Sequence, residues 1–254
     1  MNSDIPYLEK IDSGRICPEC GAHLYEQKAF GRLIIPMMCE CELNRRRKER
    51  EEFERRKAEA RLKELRHKSG IPAKQRNQTF ENFFPRKGTK NILSVSKKYA
   101  DDFPNVEKGL LFIGKYGSGK THLATAIANT VLDKGYSVKW VTAKEIYDKV
   151  RDTFTSYDVS EDDVLRPYKR CKLLIIDDIG TTPPTEYAKS VFHSIIDYRM
   201  NYQRFTIMTS NLNLDSLRKK LDERTVDRIP EGFETYTWTA ASYRHKENRE
   251  ESNK

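Results

Sequence analysis

Gly114-Lys115-Tyr116-Gly117-Ser118-Gly119-Lys120-Thr121 fits G-x-x-x-x-G-K-[ST] without a gap. Leu110-Leu111-Phe112-Ile113 ahead of it reads as a buried strand, and Lys120 to about Leu132 behind it reads as a helix. That strand–loop–helix context gives the motif physical meaning. Glycines let the chain curl so that successive N–H groups face phosphates, and the helix adds its positive N-terminal end. Lys120 is expected to reach the β and γ phosphates of ATP, and Thr121 to ligate Mg²⁺. His122, in the first helical turn, joins the expected nucleotide contacts.

Outward from the loop, apolar runs alternate with helical stretches. Strands are expected at Ser137 to Thr142, Lys172 to Asp177, Phe205 to Thr209 and Thr235 to Thr239, with a long helix near Thr185 to Asn201. With the strand before the loop this makes five, joined by helical crossovers, which is an α/β fold on a mostly parallel sheet. Leu173-Leu174-Ile175-Ile176-Asp177-Asp178 delivers two carboxylates at a strand's C-terminal end, where open α/β sheets bind ligands. Asp177 is expected to hold Mg²⁺, and Asp178 to orient or deprotonate the attacking water. Asp178 is a methylene shorter than the Glu that many ATPases carry there, so a structural second carboxylate is the other reading. Thr209-Ser210-Asn211 closes the next strand, and the Asn211 amide is placed to hold the water or a γ-phosphate oxygen. Arg224 and Arg228 are four apart and so share a helical face. They are either solvated charges or include an arginine finger that acts on a neighbouring subunit's ATP.

The N-terminal third has a different character. Cys17-Pro-Glu-Cys20-Gly is a CxxC turn, and Cys39-Glu-Cys41 adds a pair whose spacing points both thiols one way in extended backbone. Four thiolates suit a structural, tetrahedral Zn²⁺, with His23 as the substitute ligand. Cys171, beside a strand, reads as a buried apolar residue. Residues 44–69 are strongly basic, lack Gly and Pro, and place Glu51/Arg55, Glu52/Arg56 and Glu59/Lys63 at i,i+4. The stretch reads as a solvated connecting helix or a nucleic-acid- or partner-binding arm. The expected organisation is a cysteine-rich zinc-binding module at 1–43, a charged linker helix at 44–69, an ATPase domain at 70–244 and a charged tail at 245–254. Over 254 residues the formal charge is +9, with 37% hydrophobic and 33% charged residues. That balance excludes fully disordered and disulfide-scaffold classes and suits a polyanionic partner. No apolar run approaches membrane-spanning length and no secretory signal is visible, so the expectation is a cytoplasmic protein without a membrane partner.

With GKYGSGKTHLA from Gly114, LLIIDDIG from Leu173, VFHSIIDYRM from Val191, TSN from Thr209 and the Arg224/Arg228 pair, the chain resembles replicative helicase loaders of the DnaC/DnaI type, within the AAA+ ATPase superfamily. The resemblance covers roughly residues 70 to 240. The cysteine module followed by a basic helix is similar to the N-terminal region of the DnaI-like branch. The resemblance implies an AAA+ core without a full helical lid, self-association on ATP, binding of a hexameric replicative DNA helicase through residues 1 to about 69, and delivery of that helicase to single-stranded DNA. A transposition helper ATPase of the IstB type shares the core motifs and is the alternative. A small-molecule P-loop kinase would use a mobile arginine-bearing lid and would not need Asn211 or the paired arginines, and a nucleotide-free zinc-finger protein would not need the phosphate loop.

Overall fold

The computed structural model describes residues 9–29, 33–154, 160–181, 185–239 and 242–243. The expected tail at 245–254 lies outside the described residues. The chain divides into two compact units, Met1–Ala60 and Arg61–Lys254.

The first unit is a three-stranded antiparallel meander of β1 (Glu9–Ile16), β2 (His23–Ala29) and β3 (Leu33–Pro36), in the order β1-β2-β3. The turn between β1 and β2 carries Cys17 and Cys20. Helix α1 (Glu40–Lys68) starts directly after Cys39. The helix therefore begins before Asn44, and Cys41 lies in its first turn rather than in extended backbone. Glu40 and Glu42 favour this earlier start, because carboxylates are stabilising where helix N–H groups are unpaired. No residue of α1 is buried, and its side-chain pairs, such as Arg56 to Glu52 at 3.8 Å, are exposed and contribute little.

The second unit is built on a five-stranded parallel sheet of β4 (Gly109–Gly114), β5 (Val138–Thr142), β6 (Leu173–Asp177), β7 (Phe205–Ser210) and β8 (Phe233–Trp238), in the order β5-β6-β7-β4-β8. Its helices are α2 (Lys90–Asp102), α3 (Lys120–Asp133), α4 (Ala143–Thr153), α5 (Glu161–Arg170), α6 (Glu186–Asn201), α7 (Leu214–Lys220) and α8 (Glu223–Gly232). Successive strand residues face opposite ways, so each apolar run feeds two cores. Leu110, Phe112, Leu173 and Ile175 pack with α2 and α3 on one face. Leu111, Ile113, Leu174 and Ile176 pack with α4, α5 and α6 on the other. The last turns of α1 belong here, since Leu62 and Leu65 pack against the first of these cores.

Arg199 of α6 is completely buried without a carboxylate partner among the described residues. Its guanidinium donates to the carbonyls of Tyr168 (2.7 Å), Cys171 (2.9 Å) and Lys172 (3.3 Å), while Nε donates to Thr206 Oγ1 at 2.8 Å. These carbonyls lie at and just beyond the end of α5, where a helix leaves acceptors without intrahelical partners, and Tyr168 O also accepts from Cys171 Sγ at 3.5 Å. Cys171 is buried as expected, and its Sγ also accepts from Arg199 at 3.3 Å. Among the described residues no helix follows β8, and no helix is long and apolar enough to cross a membrane.

Candidate nucleotide site and cysteine centre

The phosphate loop connects β4 to α3. Gly117 has φ +72° and Gly119 φ +106°, and a Cβ on Gly119 would lie 2.8 Å from the Phe83 ring. Only glycine meets both demands at that position. Side chains of Thr142, Ser160, Thr185 and Asn213 cap α4, α5, α6 and α7, whereas α3 opens on Gly119 with no side-chain cap. An uncapped helix start behind a glycine loop is a ready anion site.

The expected residues converge there. Lys120 Nζ donates to Gly114 O at 2.7 Å, Lys115 O at 3.0 Å and Asn211 Oδ1 at 2.8 Å. Asn211 Nδ2 in turn donates to Asp178 Oδ1, so β7 places the amide between the loop lysine and the second carboxylate. Thr121 Oγ1 donates to Asp177 Oδ1 at 2.9 Å, and Thr209 Oγ1 donates to the same oxygen. Burial pushes the Asp177 carboxyl above the ordinary aspartate range, with the Thr209 and Thr121 hydrogen bonds opposing and the nearby Asp178 charge reinforcing the shift. Asp178 holds a left-handed backbone, φ +59°, which few non-glycine residues adopt, and its N–H donates to Thr209 Oγ1 at 3.0 Å. Ser118 is buried, Tyr116 is exposed and Lys115 lies at the loop's edge. His122 turns to the segment ahead of α2, with Nε2 2.8 Å from Thr79 O.

Arg224 and Arg228 both lie on α8 but in different circumstances. Arg228 is paired with Asp197 at 2.8 Å and Glu231 at 3.2 Å. Arg224 is exposed and makes no ion pair among the described residues.

A cavity of about 740 Å³ opens over the loop, bounded also by Gln75, Gln78, Phe84, Arg86 and Tyr243. Sequence reading had missed this wall. One local signal existed: Thr79 and Asn82 bond each other's backbone, Thr79 N–H to Asn82 Oδ1 at 2.9 Å and Asn82 N–H to Thr79 Oγ1 at 3.4 Å, as a Thr-x-x-Asn turn does. Nothing in a sequence window brings Tyr243 to the loop, where its N–H donates to Gly117 O at 2.8 Å.

In the first unit the sulfurs of Cys17, Cys20, Cys39 and Cys41 all lie within 4.8 Å of one another, with Cys39 to Cys17 at 3.3 Å and Cys41 to Cys20 at 3.5 Å. A tetrahedral shell with Zn–S near 2.3 Å sets sulfurs about 3.8 Å apart, so the four fit one such ion. Backbone N–H groups of Cys20 and Glu19 draw the Cys17 thiol down to about 6, which favours the thiolate a metal needs, while the crowded neighbouring thiols raise Cys41. His23 instead pairs with Asp12 at 3.3 Å.

Residues 40–251 match the model of the family described as IstB-like ATP binding protein. The chain belongs to that family. It is 36% identical over 164 residues to the replicative helicase loader DnaC of Escherichia coli K12, covering 64% of this chain and 67% of that protein. Against DnaC of Buchnera aphidicola subsp. Baizongia pistaciae it is 36% identical over 184 residues, covering 70% and 74%. Among solved structures, the DnaC helicase loader aligns with TM-score 0.60 at 24% identity over 66% of this chain and 100% of that one, and DnaI with 0.60 at 23% over 66% and 95%. AMPPCP-bound DnaA from Aquifex aeolicus aligns with 0.59 at 22% over 64% of this chain and 50% of that one. These likenesses establish the AAA+ fold of the second unit.

Proposed function

We propose that this family member is an ATP-dependent loader of a replicative DNA helicase, and the observation that carries this reading is the 36% identity to replicative helicase loaders over 164 and 184 residues. The same identity favours it over a transposition helper of the IstB type. The geometry supports ATP hydrolysis. Lys120, now held by Gly114 O, Lys115 O and Asn211 Oδ1, exchanges these partners for phosphate oxygens, and the N–H groups of Gly117 to Thr121 surround the same anion. The Thr121 hydroxyl and Asp177 carboxylate, already 2.9 Å apart, would hold Mg²⁺, which when bound neutralises charge on the β and γ oxygens. Asp178 accepts the water's proton while Asn211, bonded to it, orients that water.

Arg224 is the side chain available to act across a subunit boundary, because Arg228 is engaged by Asp197 and Glu231 of its own chain. Zn²⁺ held by Cys17, Cys20, Cys39 and Cys41 folds the N-terminal module, which with α1 engages the hexameric helicase. The ATPase unit self-associates and contacts single-stranded DNA through its basic surface.

Two experiments test this. Tagged full-length chain, offered the replicative helicase of its own genome, should retain it with ATP, and Lys120→Ala should abolish the nucleotide dependence. No retention under any nucleotide condition would remove the loader reading. Separately, Asp178→Asn and Arg224→Ala should each hydrolyse poorly alone and recover activity when mixed, since some interfaces then pair an intact carboxylate with an intact arginine. Co-assembly without recovery would return Arg224 to a solvated charge.

A further inference from the structure

Neither the phosphate loop nor the acidic strand end accounts for two rings that border the cavity above them. Phe84 precedes α2 and Tyr243 follows β8, yet their rings lie nearly parallel, with an interplanar angle of 5° and centroids 6.4 Å apart. Both border the cavity that contains Lys120. Phe84 is 63% exposed and Tyr243 36% exposed, so both residues reach solvent at the border of that cavity.

Their positions are set by the loop itself. Tyr243 is strapped to it by its N–H bond to Gly117 O at 2.8 Å. Phe83, the neighbour of Phe84, packs its ring against Gly119 and meets His122 edge-on at 5.2 Å. Arg86 joins the two sides, with Nη2 3.3 Å from Ser118 O and its guanidinium carbon 5.2 Å from the Tyr243 ring centroid. Asn129 of α3 donates to the carbonyls of Gln78 at 2.8 Å and Arg76 at 3.2 Å, which ties the same segment to the helix behind the loop. These contacts hold the pair beside the loop on which the phosphates of a ligand would lie.

Directly stacked rings gain most from carbon contacts of about 3.5–4.0 Å, and a centroid separation of 6.4 Å lies near the far limit for an aromatic pair. A planar base between them needs about 7 Å between ring planes, two such contacts. Such a fit therefore requires the Phe84 ring, the more exposed of the two, to move outward as the base enters.

We propose that Phe84 and Tyr243 form an aromatic clamp on the purine base of the nucleotide whose phosphates lie on Gly117 to Thr121. The clamp rests on the phosphate-loop reading above. It touches the π-faces of the base and not the γ-phosphate, so it retains ATP and ADP equally and fixes the ribose end while the phosphate end reacts. Tyr243 would thereby add a residue from beyond β8 to the nucleotide contacts.

Isothermal titration of the full-length chain with Mg²⁺-ADP and with inorganic tripolyphosphate separates base from phosphate contacts. Phe84→Ala and Tyr243→Ala should each weaken ADP by about 5- to 150-fold, the range of a lost base–aromatic stack, and leave tripolyphosphate unchanged. Tyr243→Phe should bind ADP as the parent does. Unchanged ADP affinity in both alanine variants overturns the clamp. So does an equal loss for ADP and tripolyphosphate, which would make the rings supports of the loop. A parent that binds tripolyphosphate as tightly as ADP overturns the clamp alone, whereas a parent that binds neither removes the phosphate-loop reading and the clamp with it.

Discussion

Among the side chains described up to Ala60, the buried apolar ones are those of Cys17 and Cys39, 7% and 9% exposed. Beyond Arg61 two clusters fill both faces of a five-stranded sheet with Leu, Ile, Val and Phe, many fully buried. The larger unit has enough chain to bury a core, and its cohesion is the usual hydrophobic kind. The smaller one does not. It places four sulfurs where a core would be, and its meander is held by cross-strand bonds and by whatever those sulfurs bind. Two units of one chain thus depend on different chemistry, and each should be separable from the other by the right perturbation.

The largest expected effect comes from metal removal. Elemental analysis should find one Zn²⁺ per chain. Chelation, or Cys39→Ser with Cys41→Ser, should abolish the meander's dispersed amide resonances while ADP still binds the second unit. Full retention of those resonances in metal-free protein would mean that the strands hold themselves. The reverse perturbation is Arg199→Met, which leaves the carbonyls of Tyr168, Cys171 and Lys172 without their donor inside the second unit. Equilibrium urea unfolding should show a loss of about 3–5 kcal/mol, the cost of uncompensated buried polar groups, with zinc content unchanged.

A smaller effect concerns pH and sharpens the contrast between the cysteine cluster, proposed to hold a cation through sulfur, and the phosphate-loop site, proposed to do so through oxygen. The folded pKa of Asp177 is raised by burial, so between its unfolded and folded values the folded chain holds more protons than the unfolded one. Its contribution to stability is therefore present at low pH and lost as pH rises through the folded value. Mg²⁺ needs the ionised form. On acidification, Mg²⁺-dependent ADP affinity should begin to fall at a higher pH than an ordinary aspartate would dictate. Asp177→Asn should lose the Mg²⁺ dependence without lowering the melting temperature of the nucleotide-free chain at neutral pH. A lower melting temperature in that variant would mean that the ionised carboxylate is stabilising, contrary to the burial argument.

Much of the candidate site was legible because its parts are contiguous. Gly117 and Gly119 announce a backbone that other residues cannot adopt, and Leu173 to Asp177 announces a buried strand with a carboxylate at its end. The cysteine spacing likewise pointed to one cluster, although Cys41 reaches it from a helical turn rather than from extended chain. The meander of β1 to β3 was not legible, since its strands pair through backbone registers that no short window of sequence specifies. The segment from Gln75 to Arg86 was legible only as a turn, because its place beside the loop depends on Asn129 and His122.

The sequence by itself determined the phosphate loop, the acidic strand end, the alternating strands and the metal-ligand spacing, because each is a demand on neighbouring residues: a positive φ, a period of two, a ligand two or three positions on. Only the tertiary structure decided the strand order β5-β6-β7-β4-β8, the Lys120–Asn211–Asp178 chain, the pairing of Arg228 with Asp197, and the meeting of Phe84 with Tyr243. These join residues far apart in the chain, and their partners are chosen by how the sheet and its two cores pack, which no local window of sequence contains.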